Sequence, residues 1–360
     1  PLFIELSRQR FKCEKCGKHF IPNHPNIYRG RRMSTRLVRF IWKSYLRGRP
    51  FWEIAERAGP ATSTVQDIFH ERAEIMDDPL TPKSATVLSI DEIYFRDHGH
   101  LSIFADPDSR EVIEMIQGMS TEAVTAFLEK HRRHLEGRDK QLEAVVMDMA
   151  GHFRTAAEQV FPDAKIVVER FHVERKARGA VHNVRRRETA RADESGKEPV
   201  PSDGFRTEWK RRKDKLDNNW HTMTPTEKMN LSVELSPIPR MEAAYRAKKR
   251  FVEILEMTDR DKADRALKEW ENALTEPLEK DFSSVLYALS HWREELLNYF
   301  ETDYTNGFIE SANRTIRQDH KVGMKFETLK AKAKFGIKER RRYREEGRKV
   351  PEDSFMRVPL

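Results

Sequence analysis

The sequence predicts an α/β fold that is interrupted by a long all-helical block, and three observations support this. Between residues 81 and 175, short apolar runs rich in Val and Ile are separated by turn residues, which is the pattern of β-strands. Helix-like segments then alternate with strand-like ones, as in β-α units. Residues 176–300 instead carry apolar side chains at helical spacing.

The strands and helices of the α/β part can be placed in order. Three β-like runs come first, with Asp, Gly and Pro between them: Thr86–Phe95, Leu101–Ala105 and Val112–Gln117. We expect these to form an antiparallel meander. The segments that follow alternate in type: a helix from Ser120, a strand Ala144–Met149, a helix His152–Val160 and a strand Lys165–Val168. A meander followed by β-α alternation is the order found in RNase H-like folds.

The helical block is interpreted as an insertion into this core. Its apolar positions include Met241, Tyr245 and Val252, with Lys248 as a polar member of the same face. The polar stretch Glu188–Asp203 predicts a loop. Residues 301–350 are expected to return to the core, with a helix over Asp303–Gln318. The basic tail from Lys330 is expected to be helical, and its simplest interpretation is a solvated face.

Residues 28–80 predict a helix-turn-helix domain of three short helices. Gly59-Pro60 breaks the apolar pattern, and Thr62 or Ser63 can cap a third helix. In such a domain the third helix enters the major groove of DNA. We therefore expect Thr64 and Gln66 to contact DNA. Arg31 and Arg32, in the basic segment that precedes the first helix, are expected to do the same. An ordinary three-helix packing unit is the open alternative.

Residues 1–27 contain the two cysteines of the chain, Cys13 and Cys16. Their Cys-x-x-Cys spacing suits Zn²⁺ better than a disulfide. A structural zinc site needs four ligands, so His19 and His24, or a second cysteine pair upstream, would have to complete it. We interpret the segment as a zinc-ribbon remnant with a partial site, and an unmetallated pair is the alternative.

Charge and hydropathy narrow the class of protein. The net charge is +8 and the sequence pI is about 9.3, which fits a polyanionic partner such as DNA. The sequence contains no run of about 18 apolar residues, the length that would predict a membrane span. The few cysteines favour a reducing, cytoplasmic compartment.

Three acidic residues are the candidate catalytic and metal-binding side chains. Asp91 and Asp148 each end an apolar strand-like run, and Glu310 lies where a helix begins. A carboxylate in an apolar strand is costly to bury without a partner, and a divalent metal is such a partner. Two Mg²⁺ or Mn²⁺ ions held by three carboxylates can cleave phosphodiesters. Taken singly, however, an Asp at a strand end is more often a turn or cap residue.

The Glu310 helix also predicts a DNA contact. Glu310, Asn313, Arg314 and Arg317 fall at positions i, i+3, i+4 and i+7, on one helix face. We expect Asn313 and the basic residues to bind the phosphate backbone, together with Lys321 beyond the helix. Three apolar residues mark the adjacent face that packs on the sheet: Ile309, Ala312 and Ile316.

Several motifs, in this order and spacing, resemble those of bacterial insertion-sequence transposases of the ISL-three group. The motifs are the cysteine knuckle, the helix-turn-helix, Ser89-Ile90-Asp91-Glu92, Val145-Val146-Met147-Asp148, Glu169-Arg170-Phe171-His172-Val173 and Thr305-Asn306-Gly307-x-x-Glu310. The resemblance implies that Asp91, Asp148 and Glu310 form a DDE triad. The family commonly has Asp where Glu169 stands and often Gly where Ser311 stands, and neither change removes a metal ligand.

The resemblance implies a function in DNA transposition. It predicts Mg²⁺-dependent strand cleavage and strand transfer at the terminal inverted repeats of an insertion sequence, by a homodimer or larger assembly on nucleoid DNA. Two alternatives stay open. One is an RNase H-fold nuclease that does not join strands, and the other is a domesticated, non-catalytic DNA-binding regulator.

Overall fold

The computed structural model describes residues 5–76, 85–195, 213–218, 220–302 and 304–345. The chain divides into two compact units. The first unit comprises Pro1–Ala85, Asp91–Met119 and Gly307–Leu360, and the second comprises Thr86–Ile90 and Ser120–Asn306. Within the described residues, no helix combines the length and the apolar character that a membrane crossing requires.

The first unit opens with a small hairpin and three helices. Strands β1 (Phe11–Lys12) and β2 (His19–Phe20) pair antiparallel. The helices are α1 (Thr35–Leu46), α2 (Phe51–Ala58) and α3 (Thr62–Met76). Gly59 ends α2 with a left-handed φ of 94°, which glycine adopts at little cost. Three helices in the predicted places are therefore confirmed.

Aromatic side chains fill the core of this three-helix bundle. Phe69 on α3 is fully buried, and its ring lies 4.9 Å from that of Trp42 and 4.5 Å from that of Tyr45. Ala331, much later in the chain, joins the same apolar cluster. The bundle thus packs on the C-terminal part of its own unit through apolar contacts.

A five-stranded mixed sheet has the order β5-β4-β3-β6-β7. The strands are β3 (Val87–Phe95), β4 (Gly99–Asp106), β5 (Glu111–Gln117), β6 (Ala144–Met147) and β7 (Lys165–Val168). Strand β4 pairs antiparallel with β5, whereas β6 pairs parallel with both β3 and β7. All five predicted strands are confirmed within two residues at each end, and β3 is central as expected. This mixed α/β architecture is consistent with an RNase H-like core.

Helices α4 (Thr121–Glu136) and α5 (Gly151–Val160) flank β6 in the sequence. The Ser120 side chain accepts a hydrogen bond from the Ala123 backbone and caps α4, a role for which serine is strongly preferred. The two helices pack on each other within the second unit.

Most of the second unit is helical, as predicted for residues 176–300. Its helices run from α6 to α12, and two further 3₁₀ turns lie at Trp220–Thr222 and Tyr299–Glu301. The bounds are α6 (Arg170–Ser195), α7 (Lys213–Asp217), α8 (Pro225–Leu235), α9 (Pro239–Leu255), α10 (Arg260–Ala273), α11 (Leu278–Asp281) and α12 (Ser283–Asn298).

The loop predicted over Glu188–Asp203 is wrong in its first part. Helix α6 continues to Ser195, and the remainder of the predicted loop lies outside the described residues. The polar composition misled the prediction because α6 is anchored earlier, by buried residues such as Ala177, Val181 and Val184. Beyond them the sequence is rich in Arg, Glu and Ala, which favour helix.

The chain returns to the first unit with α13 (Gly307–Asp319), α14 (Phe326–Ala331), a π-helical turn (Lys332–Gly336) and α15 (Ile337–Glu345). The predicted apolar face of α13 is confirmed. Ile309, Ala312 and Ile316 are buried in one cluster with sheet residues that include Ile93 and Leu101. In the basic tail, Lys330 and Lys334 lie 2.7 Å and 3.4 Å from the carboxylate of Glu114 on β5, so part of its charge is compensated within the unit.

Lys248 on α9 is a buried cation in the second unit, and its burial makes the free energy of unfolding depend on pH. Its Nζ donates hydrogen bonds to the carbonyl oxygens of Leu216 and Asn218, at 2.7 Å and 3.1 Å. Burial lowers the pKa of Lys248 to about 8, from an ordinary value of 10.5. Below pH 8 Lys248 is therefore charged in the folded protein, and the burial of this charge lowers the free energy of unfolding.

We expect the wild type to gain stability relative to Lys248→Met as the pH rises from 8 to 10.5. In that window the folded state has released the proton and the unfolded state still holds it, so the free energy of unfolding rises with pH. The gain is about 3 kcal/mol from the size of the pKa shift. Urea unfolding of both proteins at pH 7.5 and pH 10 measures it. Parallel pH profiles would contradict this explanation.

Candidate active site

The first two candidate carboxylates follow register partners on adjacent parallel strands. Ile90 of β3 pairs with Met147 of β6. Asp91 is the next residue after Ile90, and Asp148 is the next residue after Met147. The residues before them, Ile90 and Met147, are fully buried. Asp148 follows the last residue of β6, whereas Asp91 lies in the middle of β3, between the buried Ile90 and Ile93.

Asp91 is held within the first unit by a residue of α13. Asn313 Nδ2 donates a hydrogen bond to Asp91 Oδ2 at 2.6 Å. The Glu92 backbone N–H donates to the other carboxylate oxygen at 2.8 Å. Asn313 is 6% exposed, so this contact fixes the orientation of a half-buried carboxylate. The two residues are 222 positions apart, and only the fold brings them together.

Glu310 lies on the same helix face as Asn313, one turn earlier. It is half-buried in the first turn of α13, and a separation of three residues places two helical side chains next to each other. A carboxylate in a first turn is favoured by the partial positive charge of the helix N-terminus. Glu310 and Asp91 thus share a neighbour, Asn313, within the first unit.

Asp148 has a histidine partner within the second unit. Its Oδ1 lies 2.7 Å from Nε2 of His172, near the start of α6. Arg175 donates to His172 Nδ1 at 2.9 Å. A guanidinium can only donate, so this nitrogen accepts, and in the neutral ring the hydrogen is on the nitrogen that faces Asp148.

The pKa of His172 is raised above its ordinary value of 6.5. Burial is the largest single influence and lowers it. The contact with Asp148, the charge of that carboxylate and the charge of Glu169 together outweigh burial. Glu169 Oε2 lies 3.8 Å from His172 Nε2. His172 therefore screens two acidic groups at the end of β6 and β7.

Asp91 and Glu310 in the first unit offer carboxylate oxygens, which Mg²⁺ and Mn²⁺ prefer, and Asp148 offers the same donor type in the second unit. Asn313 Oδ1 is buried and, among the described residues, has no hydrogen-bond partner. A buried polar atom left without a partner is costly, and a bound ion or its water shell would supply one.

The candidate DNA-binding residues differ in exposure. Several are exposed: Arg32, Gln66, Arg314, Arg317 and Lys321. Thr64 is half-buried, and Arg31 pairs with Glu71 of α3 at 2.9 Å, which offsets its charge. Asn313, predicted to contact the phosphate backbone, is instead turned inward against Asp91.

Cys13 and Cys16 lie in the turn of the β1–β2 hairpin. Gly17 follows them with a φ of 70°. A backbone N–H from Cys16, the Cys16 side chain and the Lys15 backbone hold the pKa of the Cys13 thiol below its ordinary value. Amide groups directed at a sulfur favour the thiolate that metals bind. Within the described part of the chain, no third His, Cys, Asp or Glu ligand completes a group with this pair.

The fold and these contacts define a class: a mixed α/β protein with one carboxylate within the central strand β3, another directly after β6, and a third on the helix α13. A family model described as "Transposase", for the DDE transposases of the ISL-three group, matches residues 88–331. The chain belongs to this transposase family. No curated protein matches it significantly.

Proposed function

We propose that this chain catalyses metal-dependent DNA cleavage and strand transfer at the terminal inverted repeats of its own insertion sequence. Asp91, Asp148 and Glu310 are the proposed catalytic triad. Family membership supports DNA as the partner. The observation that supports the two aspartates of the triad is the strand register, because Asp91 and Asp148 directly follow the register partners Ile90 and Met147 on adjacent parallel strands.

The proposed roles follow from the local contacts. The three carboxylates would hold two Mg²⁺ or Mn²⁺ ions, which supply an activated oxygen nucleophile and stabilise the leaving oxygen when bound. Asn313 positions Asp91 through its 2.6 Å hydrogen bond. His172 positions Asp148 and limits its repulsion from Glu169. The exposed Arg314 and Arg317 on α13 would bind the phosphate backbone.

The N-terminal segments would recognise the DNA ends. We infer that α1–α3 form the helix-turn-helix, since α3 presents the exposed Gln66 near its start. The β1–β2 hairpin would be one half of a zinc ribbon, with Cys13 and Cys16 as two of four ligands. The helices within residues 176–300 are the proposed insertion domain, and residues 81–175 and 301–350 the proposed catalytic core. The working form would be a homodimer or larger assembly on DNA.

Strand joining tests the proposed function. A duplex carrying the pre-cut terminal repeat of the element is incubated with a plasmid target and Mg²⁺, and joined products are counted. We expect joining by the wild type and none by Glu310→Gln. Cutting of an uncut terminus without joining would assign a nuclease. Metal-independent binding with neither reaction would assign a regulator. Glu327→Gln, at an exposed glutamate on α14, is the matched control and should join normally.

A further inference from the structure

A second cluster of potential metal ligands lies within the first unit. It consists of Asp97 and His98, in the turn between β3 and β4, and His320, directly after α13. One ligand atom from each residue lies within 4.8 Å of the other two. His320 Nε2 is 2.9 Å from Asp97 Oδ1, and His98 Nε2 is 3.9 Å from Asp97 Oδ2.

His98 contributes an independent observation that points to a ligand at this cluster. Its side chain is 8% exposed, and its buried Nε2 has no hydrogen-bond partner among the described residues. At 3.9 Å the Asp97 oxygen is too far for a hydrogen bond. A buried polar atom without a partner costs free energy. A cation between the three side chains would accept the lone pair of this nitrogen.

The surroundings of the cluster orient its ligands. The Gly323 backbone N–H donates to Asp97 Oδ2 at 3.2 Å, which restrains the carboxylate. The ring of Phe95 lies 4.2 Å from that of His320, and the ring of Phe326 lies 6.4 Å from that of His98. Hydrogen bonds that orient ligands and an apolar shell around them are features of protein metal sites.

We propose that Asp97, His98 and His320 bind a divalent transition-metal cation, with Zn²⁺ the best match. Two imidazole nitrogens and one carboxylate oxygen are a borderline-soft donor set, which suits Zn²⁺ better than Mg²⁺. Three protein ligands leave a fourth tetrahedral position for water. This site is separate from both the proposed DDE triad and the cysteine pair.

The bound ion would fasten the β3–β4 turn to the end of α13. Glu310 lies on α13 and Asp91 lies on β3. The bound ion would therefore connect the two elements of the first unit that carry catalytic candidates. Its expected effect is on stability, because an ion that binds only the folded state raises the unfolding temperature.

Cobalt absorption tests the proposal on the full chain. The parent protein for this experiment carries the substitutions Cys13→Ser and Cys16→Ser, which remove the sulfur ligands. Excess Mg²⁺ is added to occupy the sites that consist of oxygen ligands. Titration with Co²⁺ should give visible d–d bands of a four- or five-coordinate nitrogen–oxygen site at one ion per chain, and Zn²⁺ should displace it. His98→Gln and His320→Gln should each weaken binding at least about tenfold, since even losing an outer-shell partner costs that much.

His100→Gln is the matched control, because His100 is exposed and lies outside the cluster. It should bind Co²⁺ like the parent. Absence of the bands in the parent, or their persistence in both cluster variants, would overturn the proposal. Circular dichroism checks that each variant folds. If a cluster variant does not fold, X-ray absorption spectroscopy of the Zn²⁺-loaded parent protein tests the proposed site instead. Two imidazole ligands at about 2.0 Å support the site, and fewer than two refute it.

Discussion

Asp148→Asn should lower metal-dependent cleavage of a terminal-repeat duplex by about a thousandfold, the loss typical of removing one strong electrostatic contact to a transition state. The amide keeps the size of the carboxylate, so packing at the end of β6 is preserved. The negative charge is lost. Single-turnover cleavage in Mg²⁺, with DNA binding measured in parallel, would separate chemistry from affinity. We expect affinity to change little.

Asp91→Asn and Glu310→Gln should give losses of similar size. If the three carboxylates act as a unit, the Asp148→Asn/Glu310→Gln double variant should be barely worse than either single variant, because groups that work together are not additive. Asp163→Asn, at an exposed turn residue before β7, is the control and should cleave normally. Losses that multiplied in the double variant would indicate independent roles and contradict a shared site.

Asp281→Ala should reduce the free energy of unfolding by about 3 kcal/mol, the lower range for breaking a buried ion pair. Asp281 is 4% exposed and lies at the end of α11. Arg240 donates to its Oδ2 from Nη2 at 2.8 Å and from Nε at 3.2 Å, and Arg187 of α6 contacts Oδ1. The carboxylate thus joins three helices of the second unit, and its removal leaves two cations without their shared partner.

Urea unfolding followed by far-ultraviolet circular dichroism measures this loss. Glu279→Ala, at an exposed position on the same short helix, should change stability by less than about 0.5 kcal/mol, as expected for a surface site. Equal effects of the two substitutions would show that the ion-pair network contributes nothing beyond surface charge.

Local patterns predicted most of the fold. Strands β3 and β6 were recognisable because Val, Ile and Leu form short apolar runs that end in acidic residues. The apolar face of α13 followed from a spacing of three and four residues, and Ile309, Ala312 and Ile316 are buried as expected. These features depend on side-chain periodicity, which a sequence displays directly.

Contacts between distant segments were not predictable in the same way. No pattern indicated that Asn313 would turn inward and donate to Asp91, because the pairing depends on how α13 lies on the sheet. Asp97 lies in a turn, and nothing in its local sequence indicates a contact with His320, 223 positions away. The continuation of α6 past Glu188 was missed because a polar helix resembles a loop in composition.

The convergence of Asp91, Asp148 and Glu310 on shared cations is the central claim, and anomalous diffraction from crystals soaked in Mn²⁺ tests it most directly. We predict two anomalous peaks about 3.5–4 Å apart, in contact with oxygens of all three carboxylates. Peaks confined to other sites, or three well-ordered carboxylates that share no ion, would contradict the claim.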